Sequence, residues 1–345
     1  MKVLIISDYA YPVGGIEVFI DEIVLATKES IDYRILTWSP FEETKKRTET
    51  APTIRVICGD YSQIWNELDW ADLLFYQASW NIRLFASIIR DYCNLTHKAL
   101  VSVIHTSSNS NNDRSCSLFQ RELLKDIIKV SNTVVGVSGD VIDSLLSLDE
   151  SSKVKYLKIE NASRFYFCSD IKKGKKVVSF IGRPTKAKGI DIFVELIFRL
   201  KDTDLDFNVN TVSIPLPDHL KQSLENLGKS VKYQFLLSDE EMLEFYKSTD
   251  LLIVPYRHSD GLPLTILEAL SCGIPIIGLD ASGVSDILRR HNQIVLKSSD
   301  INELADIVKK WHEGEINLKI PNIKNVTNWD EQAMKYIDIF ERILK

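Results

Sequence analysis

Paired cysteines are missing from this 345-residue chain: the five present, Cys58, Cys93, Cys116, Cys168 and Cys272, are scattered, odd in number and never spaced Cys-x-x-Cys. That excludes a disulfide framework and a zinc site, and fits reduced thiols in a cytosol. No run approaches the roughly 18 to 20 consecutive apolar residues that crossing a bilayer requires, which leaves only peripheral membrane contact. An excess of basic charge is absent too. With a formal net charge of −6, the chain lacks the concentrated basic face that nucleic-acid binding uses to displace counterions, and no nucleic-acid partner is expected. The opening MKVLIISDYAY has one lysine, a short apolar run and no small-residue cleavage site, so it reads as a first strand and not as a leader.

What the chain does have is 45% apolar content over a length sufficient for two ordinary α/β domains. Short runs rich in β-branched residues alternate with longer amphipathic stretches, the pattern of parallel sheets with helical crossovers. Seven strand-like runs fall between Lys2 and Ile159 and six between Lys176 and Leu296; several are apolar nearly throughout, as strands covered on both faces are. The polar segment Asp170 to Lys176 separates the two series and reads as a solvated linker. The expected division is residues 1–169, 170–327, and a terminal helix 328–345 crossing back to the first domain. In doubly wound sheets ligands bind beyond the carboxyl ends of the strands, so the residues there bear most on function.

Three such places stand out. After the first run, Gly14 and Gly15 precede a helix-like stretch from Ile16 to Thr27; they form either an ordinary tight turn or a place where backbone amides approach a phosphate or sugar. The full Gly-x-Gly-x-x-Gly fingerprint is lacking. After the first run of the second series comes Gly182-Arg183-Pro-Thr-Lys-Ala-Lys188-Gly189, whose Arg183 and Lys188 are either solvated loop cations or a fork of donors and a point charge that neutralise a diphosphate. The third is Pro255-Tyr-Arg-His-Ser-Asp260-Gly261-Leu262-Pro263-Leu264-Thr265-Ile-Leu-Glu268. Here a helix from Pro263 to Ser271 points its N-terminal amides, those of Leu264 and Thr265, toward the loop of Asp260, and Glu268 lies among apolar neighbours that favour a buried, partnered carboxylate.

These features, in this order, resemble the GT-B retaining glycosyltransferases of family 4. The resemblance implies two Rossmann-like domains facing each other across a cleft, the second binding a UDP- or GDP-sugar and the first the acceptor. The acidic residue, seven intervening residues and glutamate of that family match Asp260 to Glu268, implying that Asp260 and the Gly261–Leu262 turn face the donor sugar and Glu268 holds the ribose hydroxyls. Arg183 and Lys188 match the residues that contact the donor diphosphate, and Gly14 and Gly15 the loop beside the transferred sugar. His105 matches a histidine near the reacting face, although as a bare feature it reads as a hydrogen-bonded structural histidine. Catalysis is thus expected of Arg183, Lys188, Asp260 and His105, and donor binding of Gly14, Gly15, Gly261, Leu262, Leu264, Thr265 and Glu268, with no metal and no cofactor. The acceptor implied is a saccharide or a lipid-linked saccharide of bacterial surface polysaccharide synthesis, met in the cytoplasm or at the cytoplasmic face of the inner membrane. Two departures stand out: aspartate replaces the family's glutamate at 260, and Leu236–Leu237 replace a glycine before Ser238.

Other readings fit less of the chain. Gly136-Val-Ser-Gly-Asp lacks the second glycine of a nucleophile elbow. The polar stretch 106–116 suits acceptor binding or a plain connector, and Lys45-Lys46-Arg47 a solvated turn or an anionic membrane surface. A non-catalytic nucleotide-sugar-binding relative that supports a partner transferase is the alternative from a different functional class.

Overall fold

The computed structural model describes residues 1–7, 14–37, 50–55, 62–78, 84–107, 118–148, 154–165, 176–226, 231–257, 261–297 and 299–345. Within these, the chain divides into two compact units, Met1–Asn161 with Asn328–Lys345, and Ala162–Thr327. The break lies at Asn161, ahead of the 169/170 boundary suggested by composition. Its cause is local: Ser163, Arg164 and Phe165 already bond or pack against Ser271, Glu268 and Tyr246 of the second unit.

The first unit holds β1 (Lys2–Ser7), β2 (Asp32–Thr37), β3 (Thr53–Arg55), β4 (Leu73–Ala78), β5 (Ala99–Ile104), β6 (Thr133–Gly136) and β7 (Lys155–Lys158). They form one parallel sheet in the order β3-β2-β1-β4-β5-β6-β7. Val3, Leu4, Ile5 and Ile6 of β1 are wholly buried, which explains the unbroken apolar run: a strand with both faces covered has no use for alternation. The terminal helix Trp329–Leu344 belongs to this unit. Asn328 caps it, accepting the Glu331 amide at 2.7 Å. Its buried stripe, Trp329, Ala333, Tyr336 and Phe340, follows the helical period. Trp329 and Tyr336 meet Phe19, and Phe340 meets Phe75, with ring centroids 5.0–5.7 Å apart. Each wholly buried ring contributes about 1.5–3 kcal/mol, enough to hold the chain's end on the first sheet.

The second unit holds β8 (Val177–Gly182), β9 (Asp206–Thr211), β10 (Val231–Phe235), β11 (Leu251–Val254), β12 (Ile276–Leu279) and β13 (Ile294–Leu296). They form a parallel sheet in the order β10-β9-β8-β11-β12-β13. The helix Ile190–Arg199 buries Ile190, Phe193, Val194 and Ile197, at spacings of three and four, against Phe180 and Phe207. All thirteen strand-like runs are strands, with ends shifted by a residue or two where described. Strand order reverses between β1 and β4 in one sheet and between β8 and β11 in the other. In sheets of this kind ligands bind at the strands' carboxyl ends beside such switch points, and the singled-out loops leave from there. No described helix is long and apolar enough to cross a membrane.

Candidate functional site

In the second unit, the loop after β8 is fastened to the end of β11. Thr185 starts a short 3-10 turn, Lys186–Lys188, by accepting the Lys188 amide. Gly189 ends it in the left-handed region at φ 72°, where a Cβ would stand 2.0 Å from the carbonyl oxygen of Pro255. Only glycine permits that approach. Arg257 closes the fastening from the other side. Its amide donates to the Ala187 carbonyl at 2.9 Å, and its guanidinium donates to the Lys186 carbonyl and, two-pronged, to Asp191 at 2.6 and 2.8 Å. Burial alone would raise the Asp191 carboxyl; the paired guanidinium outweighs it and holds it low.

This frame sets the two cations. Arg183 is exposed just beyond β8. Lys188 is half-buried, its Nζ 3.9 Å from the centre of the Tyr256 ring, within range of the attraction between a cation and an aromatic face. Tyr256 itself is buried, and its hydroxyl lies 3.3 Å from Thr265 Oγ1.

Asp260 lies outside the described residues, as do 108–116 and Lys45-Lys46-Arg47. Its neighbour Gly261 has φ 48°, and Leu262 and Leu264 are buried. The Gly261 backbone rests on Gly283, which at φ 76° would place a Cβ 2.0 Å from the Gly261 oxygen. The helix Leu264–Ser271 begins directly after Pro263, so Leu264 and Thr265 supply first-turn amides that no helical carbonyl reaches.

Glu268 is 1% exposed, and each of its carboxylate oxygens has one partner within its unit. Its Oε1 accepts from Arg164 Nε at 2.7 Å and its Oε2 from the Tyr246 hydroxyl at 2.8 Å. Burial and the adjacent carboxylate push the Tyr246 phenol well above its ordinary value. Burial disfavours the charged Arg164, but Glu268, and Asp239 on its other side, more than restore it. Each Glu268 oxygen keeps a further lone pair. Nearby, Leu236 adopts φ 53°: the left-handed backbone that glycine would take is present with leucine in it.

In the first unit, the Gly14 amide is given to the Glu17 carboxylate at 2.8 Å. The amide that the sequence offered to an incoming phosphate is thus spent on capping its own helix, Gly15–Thr27. His105 follows β5, is buried, and touches Phe19 edge-on at 5.0 Å. Its Nε2 lies 3.0 Å from Gln77 Oε1. Since Gln77 Nε2 points at the Phe75 carbonyl, the histidine is assigned as the donor, in the Nε2–H tautomer. Burial lowers its pKa to about 3, so the ring is neutral at physiological pH.

The sequence pointed to Arg183, Lys188, Gly261, Leu262, Leu264, Thr265 and Glu268, and all lie at the carboxyl ends of β8 and β11 or in the helix beyond. It missed Arg164, Tyr246, Tyr256, Arg257 and Gly283. Tyr256 and Arg257 carried the signal of position, directly after a strand. Arg164 carried none, since Glu268 is 104 residues away.

Comparison with known proteins accords with this arrangement. Residues 164–335 match the pattern that defines "Glycosyl transferases group 1". The uncharacterised glycosyltransferase MJ1069 of Methanocaldococcus jannaschii is 23% identical, covering 100% of this chain and 99% of that protein. The N,N'-diacetylbacillosaminyl-diphospho-undecaprenol alpha-1,3-N-acetylgalactosaminyltransferase of Campylobacter jejuni is 26% identical over 55% of this chain and 50% of its own. Among solved structures, Anabaena Alr3699/HepE, crystallised with UDP and glucose, superimposes with a TM-score of 0.78 at 14% identity over 99% of this chain and 100% of its own. With the fold shared end to end and the group 1 pattern lying over the loop that carries Arg183 and Lys188 and the helix that carries Glu268, the chain belongs to the group 1 glycosyltransferases of GT-B fold.

Proposed function

We propose that this enzyme transfers a sugar from a UDP- or GDP-sugar to a saccharide or lipid-linked saccharide, with retention of configuration and without a metal ion. The observation that carries the reading is the convergence, at the β8/β11 switch point, of two cations and a helix N-terminus on loops locked by glycine contacts. Arg183, Lys188 and the first-turn amides at Leu264 and Thr265 stabilise the charge that develops on the leaving diphosphate. Glu268, fixed by Arg164 and Tyr246, offers its remaining lone pairs to the ribose hydroxyls, and Asp260 is assigned to the sugar. The acceptor hydroxyl attacks on the face from which the diphosphate leaves, and a diphosphate oxygen takes its proton. His105, neutral and bonded to Gln77, acts as a fixed hydrogen-bonding group and not as a charged acid.

HepE has been crystallised with UDP and with UDP-glucose, which favours a uridine donor. The diphospho-undecaprenol in the name of the Campylobacter relative favours a lipid-linked acceptor in surface polysaccharide synthesis. The test is calorimetric titration with UDP- and GDP-sugars, with and without chelator, on the wild type and on Arg183→Ala and Glu268→Ala. Chelator-insensitive binding of one series, weakened in both variants, is expected. A folded protein that binds neither series overturns the assignment.

A further inference from the structure

Among the residues no motif pointed to, Tyr256 has the most consequential neighbours. It is 2% exposed, so its ring is fixed by packing. Its face carries Lys188 Nζ at 3.9 Å, and its hydroxyl lies 3.3 Å from Thr265 Oγ1 in the first turn of the helix Leu264–Ser271. Lys188 and Thr265 come from different loops, after β8 and after β11. One buried ring therefore spans two of the groups assigned to the donor diphosphate. A flexible lysine is a poor electrostatic catalyst unless its head group is held where charge develops, because ordering its four-carbon stem costs rotamer entropy at the moment of use. An aromatic face holds an ammonium from below without consuming its N–H donors.

We propose that Tyr256 is the positioning residue of the diphosphate site: its ring holds the Lys188 ammonium in place, and its hydroxyl ties that ring to the helix N-terminus. The inference rests on the donor-site reading and adds to it the residue through which Lys188 acts. Tyr256 touches neither phosphate; its effect passes through Lys188. Arg257, next in sequence, fixes the Lys186–Lys188 turn by its backbone, whereas Tyr256 fixes the head group.

The measurement is affinity for UDP and GDP by calorimetry, together with kcat and KM for the sugar donor. Tyr256→Met fills most of the volume without an aromatic face, and about tenfold weaker binding of the nucleoside diphosphate is expected, with kcat falling as well. In a Lys188→Met background the same change is expected to cost nothing more, because the cation it positions is gone. Tyr256→Phe, which keeps the face, retains most of the affinity. As a test independent of any folding defect, 3,4,5-trifluorophenylalanine at 256 is compared with phenylalanine there: the shape is nearly constant, the charge on the face is withdrawn, and several-fold weaker binding is expected. Equal affinity for these two, or a full tenfold loss from Tyr256→Met on top of Lys188→Met, overturns the proposal while leaving the donor site standing. A wild type that binds neither UDP nor GDP overturns both.

Discussion

Replacing Gly283 by alanine tests whether the loop that leads into the helix Leu264–Ser271 is held by backbone contact. The new Cβ would lie 2.0 Å from the Gly261 oxygen and 2.7 Å from its carbonyl carbon, against the 3.4 Å at which ordinary contact begins. Both obstacles are backbone, so no side chain can swing aside. Alanine at φ 76° costs about 1–2 kcal/mol, and relieving the overlap adds about 1–3 kcal/mol. The sum, roughly 2–5 kcal/mol, corresponds to a fall in Tm on the order of 5–15 °C for a unit of this size. If the overlap relaxes by moving Gly261, the first turn at Leu264 and Thr265 shifts with it, and a displacement of about 1 Å in a positioning element can cost on the order of 100-fold in rate. Gly314 is the internal control: it sits at φ 79° after the helix Ile301–Glu313, and a Cβ added there would meet nothing within 4 Å. Gly314→Ala should incur only the backbone cost and leave nucleotide binding intact. Thermal unfolding monitored by circular dichroism, with calorimetry of UDP and GDP binding, separates the two variants. Equal melting points and equal affinities for Gly283→Ala and Gly314→Ala would refute the argument that steric contact, and not φ alone, requires glycine at 283.

Gly189→Ala meets the Pro255 carbonyl at the same 2.0 Å and at φ 72°, so a similar loss of about 2–5 kcal/mol is expected, here with Lys188 displaced; urea unfolding checks the first part and nucleotide affinity the second. Arg164→Met strips the buried Glu268 of its cation and should cost about 3 kcal/mol. By contrast Asp239→Asn, at a side chain 68% exposed, should cost less than about 1 kcal/mol; similar urea midpoints for the two would contradict the burial argument. His105 has a pKa of about 3 in the fold and 6.5 as its ordinary value. Below pH 6.5 the unfolded chain therefore takes up a proton that the folded chain refuses. The stabilisation is complete above pH 6.5 and is lost as pH falls toward 3, by up to about 1.4 kcal/mol per pH unit. The stability difference between wild type and His105→Gln should therefore shift in favour of the variant as pH falls, and parallel curves would rule out a buried neutral imidazole.

The parts of the site that were legible in the sequence are those whose chemistry lies in consecutive residues beside a strand. Arg183 and Lys188 share one loop, and Gly261 to Glu268 share one turn and helix, so a short window holds both the residue types and the element that presents them. The residues that position them do not share that window. Arg164 reaches Glu268 across 104 positions, and Gly283 meets Gly261 only because β11 and β12 are neighbours in the sheet. The same limit governed the Gly14–Gly15 turn. A glycine pair before a helix looks the same whether its amide awaits an anion or is already given to a carboxylate three residues on, and only the folded chain shows the Gly14 amide given to Glu17. At Leu236 the sequence shows that the family's glycine is gone, yet the backbone keeps the left-handed conformation that glycine serves. A conformation of that kind costs on the order of 1 kcal/mol and persists only where surrounding bonds over-determine it. Here the Leu236 amide donates to Thr211 at the end of β9, and the Ser238–Glu241 capping pair fixes the next helix start. The loop is therefore set by the sheet edge and the helix cap that flank it, and those bonds are what hold leucine in a conformation that glycine adopts more readily.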